Sequence, residues 1–140
     1  MMKNNLVKDW MTKNPITITE TENLPRAHQI MKENSIRRLP VVAGNGKLVG
    51  IVTMGDVKEA SPSDATSLSI YELNYLLANL TVKDIMTKDP FSVKADDSLH
   101  DAAGLMLKHK IGGIPVIADG AVVGIITESD VFRAVMDIYK

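Results

Sequence analysis

At 140 residues, with 45 % hydrophobic and 24 % charged side chains, the chain is long enough for one compact domain or for two very small ones tied together. Sixteen basic residues against seventeen acidic ones leave a net charge of -1, which supplies no field for non-specific attraction to nucleic acid or anionic membrane. The absence of cysteine excludes disulfides, thiolate nucleophiles and Cys-ligated zinc and fits a reducing compartment; no apolar run reaches signal-peptide or membrane-span length, so the expectation is a soluble, cytoplasmic protein.

Val7-Lys8-Asp9-Trp10-Met11-Thr12-Lys13-Asn14-Pro15 returns as Val82-Lys83-Asp84-Ile85-Met86-Thr87-Lys88-Asp89-Pro90, at an offset of 75. The chain is therefore an internal duplication. Each proline is followed by a short extended piece, Ile16-Thr17-Ile18 and Phe91-Ser92-Val93, then by an acidic turn and a helix. In the first copy Leu24, Ala27, Met31 and Asn34 share one face, with Pro25 tolerable in the first turn. In the second, Ser98 is a good cap for a helix carrying Leu99, Ala102 and Met106, and Met31 and Met106 are expected in the core.

Asn-Gly and Asp-Gly between β-branched runs predict an antiparallel pair in each half, Leu39 to Ala43 with Lys47 to Thr53 and Ile114 to Ala118 with Ala121 to Thr127. The offset falls to 74 across this turn, because Gly44-Asn45-Gly46 is matched by the shorter Asp119-Gly120. A second helix follows, from Met54 to about Ala60 and from Glu128 to the C-terminus, the latter with Val131, Val135 and Ile138 on one stripe. Each copy thus reads β-α-β-β-α, which makes the fold class α/β (α+β). The expected organisation is a first repeat over 1–60, a linker with an extra helix over 61–80, and a second repeat over 81–140. Ala60-Ser61-Pro62-Ser63 opens the linker, and Tyr71, Tyr75 and Leu76 are at helical spacing within Ser69 to Asn79. A single repeat is near the size at which one core becomes marginal, so the halves are expected to share an interface and fold as one unit.

The chemistry concentrates where the last strand of each copy meets its last helix. Gly50-Ile51-Val52-Thr53-Met54-Gly55-Asp56 recurs as Gly124-Ile125-Ile126-Thr127-Glu128-Ser129-Asp130, with Gly, Ile, Thr and Asp in the same places. Helix-start amides attract anions, and a short carboxylate can accept two hydrogen bonds from neighbouring ribose hydroxyls. Thr-x-x-Asp is also the spacing of a helix capping box, and a Thr that caps with one lone pair can still donate its proton to a ligand. The copies differ just before the hairpin, where Arg37-Arg38 stands against Gly112-Gly113, with Lys108, His109 and Lys110 near the glycines. No catalytic motif is present: His28, His100 and His109 are scattered, no nucleophile elbow occurs, and Gly44-Asn45-Gly46 lacks the Gly-Lys-Ser/Thr of a phosphate loop.

Asp-x-Met-Thr-x-x-Pro, a helix, Ile36-x-x-Leu39-Pro40-Val41-Val42, the Asn-Gly hairpin and Gly-Ile-Val-Thr-x-x-Asp, in that order and twice, resemble the tandem CBS-domain pair, or Bateman module, over almost the entire chain. The short linker resembles that of stand-alone members such as those of acetoin utilisation. The resemblance implies two β-α-β-β-α repeats packed with pseudo-two-fold symmetry, adenosine compounds bound in clefts between them, and a flat homodimer. It implies that Asp56 and Asp130 hold ribose hydroxyls, and that Thr53 and Thr127 bond ribose or α-phosphate. By the same resemblance, the segments around Thr17 and Ser92 would line the adenine pocket, and the strands before Pro40-Val41 and Pro115-Val116 would sandwich the base. A basic residue at the position of Arg38 commonly meets phosphates in the family, and a guanidinium suits that bidentate contact. One strong phosphate-bearing site and one weaker or empty site are therefore expected. The implied function is a non-catalytic regulatory module that takes AMP, ADP, ATP or S-adenosylmethionine as its regulatory ligand. It needs no cofactor or metal, signals through its dimer or an unidentified protein partner, and binds neither nucleic acid nor membrane. The alternative is an interaction scaffold of the same fold that binds no nucleotide.

Overall fold

A computed structural model describes residues 5–60, 72, 75 and 79–140. The chain divides into two compact units, one formed by Met1–Pro15 with Pro90–Lys140 and the other by Ile16–Asp89. The spatial units are thus out of step with the sequence repeats: each takes its opening segment from the other copy.

In the unit of Ile16–Asp89, β2 (Ile18–Thr19), α2 (Leu24–Glu33), β3 (Arg38–Val42), β4 (Leu48–Thr53) and α3 (Met54–Ala60) are joined by α4 (Val82–Ile85) and β5 (Thr87–Lys88). Their sheet has the order β2-β3-β4-β5, parallel between β2 and β3 and antiparallel elsewhere. The other unit repeats this plan. Its opening segment supplies α1 (Val7–Trp10) and β1 (Thr12–Lys13), and the rest is β6 (Val93–Lys94), α5 (Leu99–His109), β7 (Gly113–Ala118), β8 (Ala121–Thr127) and α6 (Glu128–Ile138). The order β1-β8-β7-β6 again has one parallel edge pair, β6 with β7.

Local chemistry accounts for the element ends. Asn23 caps α2 by accepting from the Arg26 N–H at 2.9 Å, and Ser98 caps α5 by accepting from Asp101 N–H at 3.0 Å. Asp119 and Gly120 both have positive φ, 53° and 82°, as a two-residue type I′ hairpin turn requires. Leu24, Ala27 and Met31 are fully buried against Leu39, Val41 and Val52, while Leu99, Ala102 and Met106 lie against Ile114, Val116 and Ile126. Asn34, expected on the buried face, is instead the exposed C-cap of α2, its side-chain amide donating to the Ile30 carbonyl at 2.8 Å. An amide satisfies a helix-end carbonyl better than it fills a core. On α6 the inward positions are Asp130 and Ala134, whereas Val135 and Ile138 are exposed. Of the extra helix expected over Ser69 to Asn79, Glu72 and Tyr75 are helical and exposed, and Tyr71 and Leu76 lie outside the described residues.

The arms cross at glycines. An added Cβ on Gly50 would lie 2.4 Å from Met86 Sδ and 3.0 Å from the Thr87 carbonyl oxygen; on Gly124 it would lie 2.5 Å from Met11 Sδ and 3.0 Å from the Thr12 carbonyl oxygen. The thioether can swing aside, but the strand backbone is held in register with Lys88 against Gly50 and Lys13 against Gly124. Gly50→Val is therefore expected to lower stability by about 2 kcal/mol, as overpacking at a close crossing does. Urea unfolding checks this, and an unchanged midpoint would show that the crossing is loose.

Candidate functional site

In the Ile16–Asp89 unit, strand register and a helix cap bring three polar side chains together. Arg38 opens β3 directly opposite Thr53, the last residue of β4. The Thr53 N–H donates to Asp56 Oδ2 at 2.8 Å, and the Asp56 N–H donates to Thr53 Oγ1 at 3.1 Å, a reciprocal capping box at the start of α3. The Met54 N–H donates to the Arg37 carbonyl at 2.8 Å, tying the helix start to the strand start. Thr17 directly precedes β2, whose Ile18 is the parallel partner of Val41, and Pro40 faces Ile51 in the hairpin. Thr17, Arg38, Thr53 and Asp56 are half-buried, and Pro40 is fully buried. Asp56 Oδ1 accepts from no described residue. Thr53 Oγ1 serves the cap as an acceptor, and no described residue accepts its proton. Opposite the strand position of Arg38, the corner therefore has one carboxylate oxygen and one hydroxyl proton that no described residue engages, a set suited to a polyhydroxylated ligand.

The other unit holds the equivalent corner in a different hydrogen-bonded state. Gly113 is opposite Thr127, the Glu128 N–H donates to the Gly112 carbonyl at 3.1 Å, and the Thr127 N–H donates to Asp130 Oδ2 at 2.8 Å. Here Thr127 Oγ1 also turns to Asp130 Oδ2, at 3.2 Å, and Asp130 Oδ1 is taken by the Arg133 guanidinium. Asp130 is 1 % exposed and Arg133 58 %. Burying a carboxylate is costly unless its oxygens are hydrogen-bonded, and here Thr127 and Arg133 bond both of them. Ser92 is half-buried before β6, and Pro115 is buried opposite Ile125. His109 stacks on Phe91, with ring centroids 3.9 Å apart and planes at 22°, while Lys108 and Lys110 are exposed.

The five candidates of the first copy, Thr17, Arg38, Pro40, Thr53 and Asp56, thus fall in one unit, and the four of the second, Ser92, Pro115, Thr127 and Asp130, in the other. Sequence reasoning missed Arg133. Its signal was present, since at the offset of 74 it stands where the first copy has Glu59. Among the described residues no cluster of three His, Asp or Glu could hold a metal ion, and no helix is long and apolar enough to cross a membrane.

Known proteins share this fold. The CBS domain matches residues 7–63 and again 82–137. Vibrio cholerae AcuB, named for acetoin utilization, superposes with a TM-score of 0.79 at 34 % identity over 99 % of this chain and 94 % of its own. CBSX2 from Arabidopsis thaliana, solved with AMP, gives 0.80 at 31 % over 96 % and 98 %. The CBS domain pair of protein MJ0100, solved with 5′-methylthioadenosine and S-adenosyl-L-methionine, gives 0.80 at 31 % over 97 % and 99 %. The chain spans half or less of the length of the first curated relatives it matches, some of which bear enzyme names. With both copies matched and the paired structures superposing over nearly the whole chain, the protein belongs to the CBS-domain family as a tandem CBS pair.

Proposed function

We propose that this chain is a non-catalytic regulatory module that binds an adenosine compound, AMP, ADP, ATP or S-adenosylmethionine, and passes the occupancy on through its dimer or a protein partner. The observation that carries the reading is the corner of Thr53 and Asp56, opposite the strand position of Arg38, where no described residue engages one carboxylate oxygen and the hydroxyl proton. AMP bound to CBSX2 and the two adenosyl ligands of the MJ0100 pair support the ligand class. In this reading Asp56 receives the ribose hydroxyls, Thr53 donates to ribose or α-phosphate, Arg38 meets phosphate, and Thr17 and Pro40 belong to the walls around the base. Thr127, Asp130, Ser92 and Pro115 are the corresponding groups of the second copy. Exposed Phe132 and Met136 on α6, with Tyr139 at its C-cap, offer apolar surface for the second subunit of a homodimer.

The test is thermal unfolding against adenosine, AMP, ADP, ATP and S-adenosylmethionine. A ligand at a hundred times its dissociation constant stabilises the native state by about 2.7 kcal/mol, enough to move the midpoint clearly. Arg38→Ala is expected to weaken the phosphorylated ligands about tenfold and to leave adenosine unchanged, the difference one charge-assisted contact makes. A folded protein whose midpoint ignores the whole panel would instead be a scaffold of the same fold.

A further inference from the structure

We infer that Arg133 is a displaceable counter-ion that closes the second copy's corner to uncharged nucleosides and makes it selective for phosphorylated ones. The inference rests on the adenosine-binding reading above and names the residue that sets the second copy apart. Two of the exchanges between the corners move a charge that bears on the carboxylate. Arg38 at the strand start becomes Gly113, and Glu59, three residues beyond Asp56, becomes Arg133, three residues beyond Asp130. The cation has moved from the strand to the first turns of the helix, and there it rests on the carboxylate that a ribose would need.

The hydrogen bonds show the consequence. Among the described residues, none donates to Asp56 Oδ1 and none takes the Thr53 hydroxyl proton; at Asp130, Oδ1 accepts from Arg133, and the Thr127 hydroxyl is turned to Oδ2. A carboxylate oxygen can accept twice, but Asp130 is 1 % exposed with Arg133 on Oδ1, so a vicinal diol gains that oxygen by displacing the guanidinium, which strips the buried carboxylate of its counter-ion. The diol restores hydrogen bonds but no positive charge. The released guanidinium is 58 % exposed on a long, flexible stem, so it can follow an anionic group of the same ligand, and the ion pair is then exchanged rather than lost. A neutral nucleoside offers no such exchange, and a sulfonium ligand adds a second cation beside the released one.

The experiment uses the full chain carrying Asp56→Asn, which leaves the second copy as the principal site, and titrates it calorimetrically with adenosine and with AMP. AMP is expected to bind at least about tenfold more tightly than adenosine, a ratio of the size one charged contact produces. Adding Arg133→Gln is expected to raise adenosine affinity about tenfold and to bring the ratio to about threefold or less, while Arg133→Lys keeps a ratio near the starting one. A structural role for Arg133 alone would weaken both ligands together. An unchanged ratio in Arg133→Gln, or weaker adenosine binding, overturns the inference while leaving the first corner's function intact. So does loss of all binding in Asp56→Asn when the parent binds AMP. A parent that binds neither AMP nor adenosine overturns the adenosine reading itself, and this inference with it.

Discussion

Removing residues 1–14 is expected to unfold the Pro90–Lys140 portion of the chain while sparing Ile16–Asp89, although every residue of the second sequence repeat stays in place. Val7 is fully buried in the cluster of Val93, Leu99, Ala102, Met106, Ile114, Val116 and Ile126, and Trp10 and Met11 pack against it. Burying one such side chain stabilises by about 1.5–3 kcal/mol, and leaving its cavity adds to the loss. The same segment donates from Val7 N–H to the Asp97 carbonyl and from Lys8 N–H to the Ala95 carbonyl, both at 2.9 Å, and its Asn5 carbonyl accepts from Leu99 N–H at 2.8 Å. Lys8 and Asp96 form an exposed ion pair that holds the ammonium above, and the carboxyl below, its ordinary range. That pair adds little, as surface pairs do. The buried terms together are on the order of 5–10 kcal/mol, about the whole stability of a small domain. β1 also covers the outer edge of β8, and without it that edge lies bare. Amide hydrogen exchange followed by mass spectrometry on the truncated chain reads the result. Protection should vanish across Gly113–Ala118 and Ala121–Thr127 and persist across Arg38–Val42 and Leu48–Thr53. Equal protection in the two hairpins would mean that the arm is dispensable.

This exchange of arms is the part of the fold that the sequence conceals. Val7-Lys8-Asp9 and Val82-Lys83-Asp84 are identical, so periodicity and spacing are the same whether each segment packs on its own copy or on the other. The elements of two and four residues that they form are also too short to carry a periodic signal. Longer features were legible for physical reasons: Asn-Gly and Asp-Gly dictate the hairpin turns, and Leu24, Ala27 and Met31 recur at helical spacing because that face is buried. At the site, the Thr-x-x-Asp repeat located both corners but could not tell their states apart. Whether an Asp oxygen is open depends on one side chain three residues on, and on burial, which Thr-x-x-Asp does not encode.

Asp56 and Asp130 occupy equivalent positions, and their replacement is expected to have opposite consequences. Asp56 is half-buried with one oxygen that accepts from no described residue, and Asp56→Asn keeps an acceptor for the Thr53 N–H and leaves the cap of α3 nearly whole. What it removes is the charge that strengthens two hydrogen bonds from vicinal hydroxyls. At about 1.5–3 kcal/mol for each such bond in full, affinity for an adenosine compound should fall about a hundredfold with little change in unfolding midpoint. Asp130 is 1 % exposed with both oxygens engaged. Asp130→Ala leaves the Thr127 N–H without its capping acceptor and takes from Arg133 its partner. The Arg133 term is small because that side chain is largely hydrated, but losing the buried cap and its charged hydrogen bond should lower stability by about 3 kcal/mol. High-affinity binding at the Asp56 corner should survive in that variant. Calorimetric titration with AMP and urea unfolding of both variants give the four numbers needed. If Asp56→Asn binds like the parent, or Asp130→Ala unfolds like it, burial is not what divides the labour between two copies of one motif.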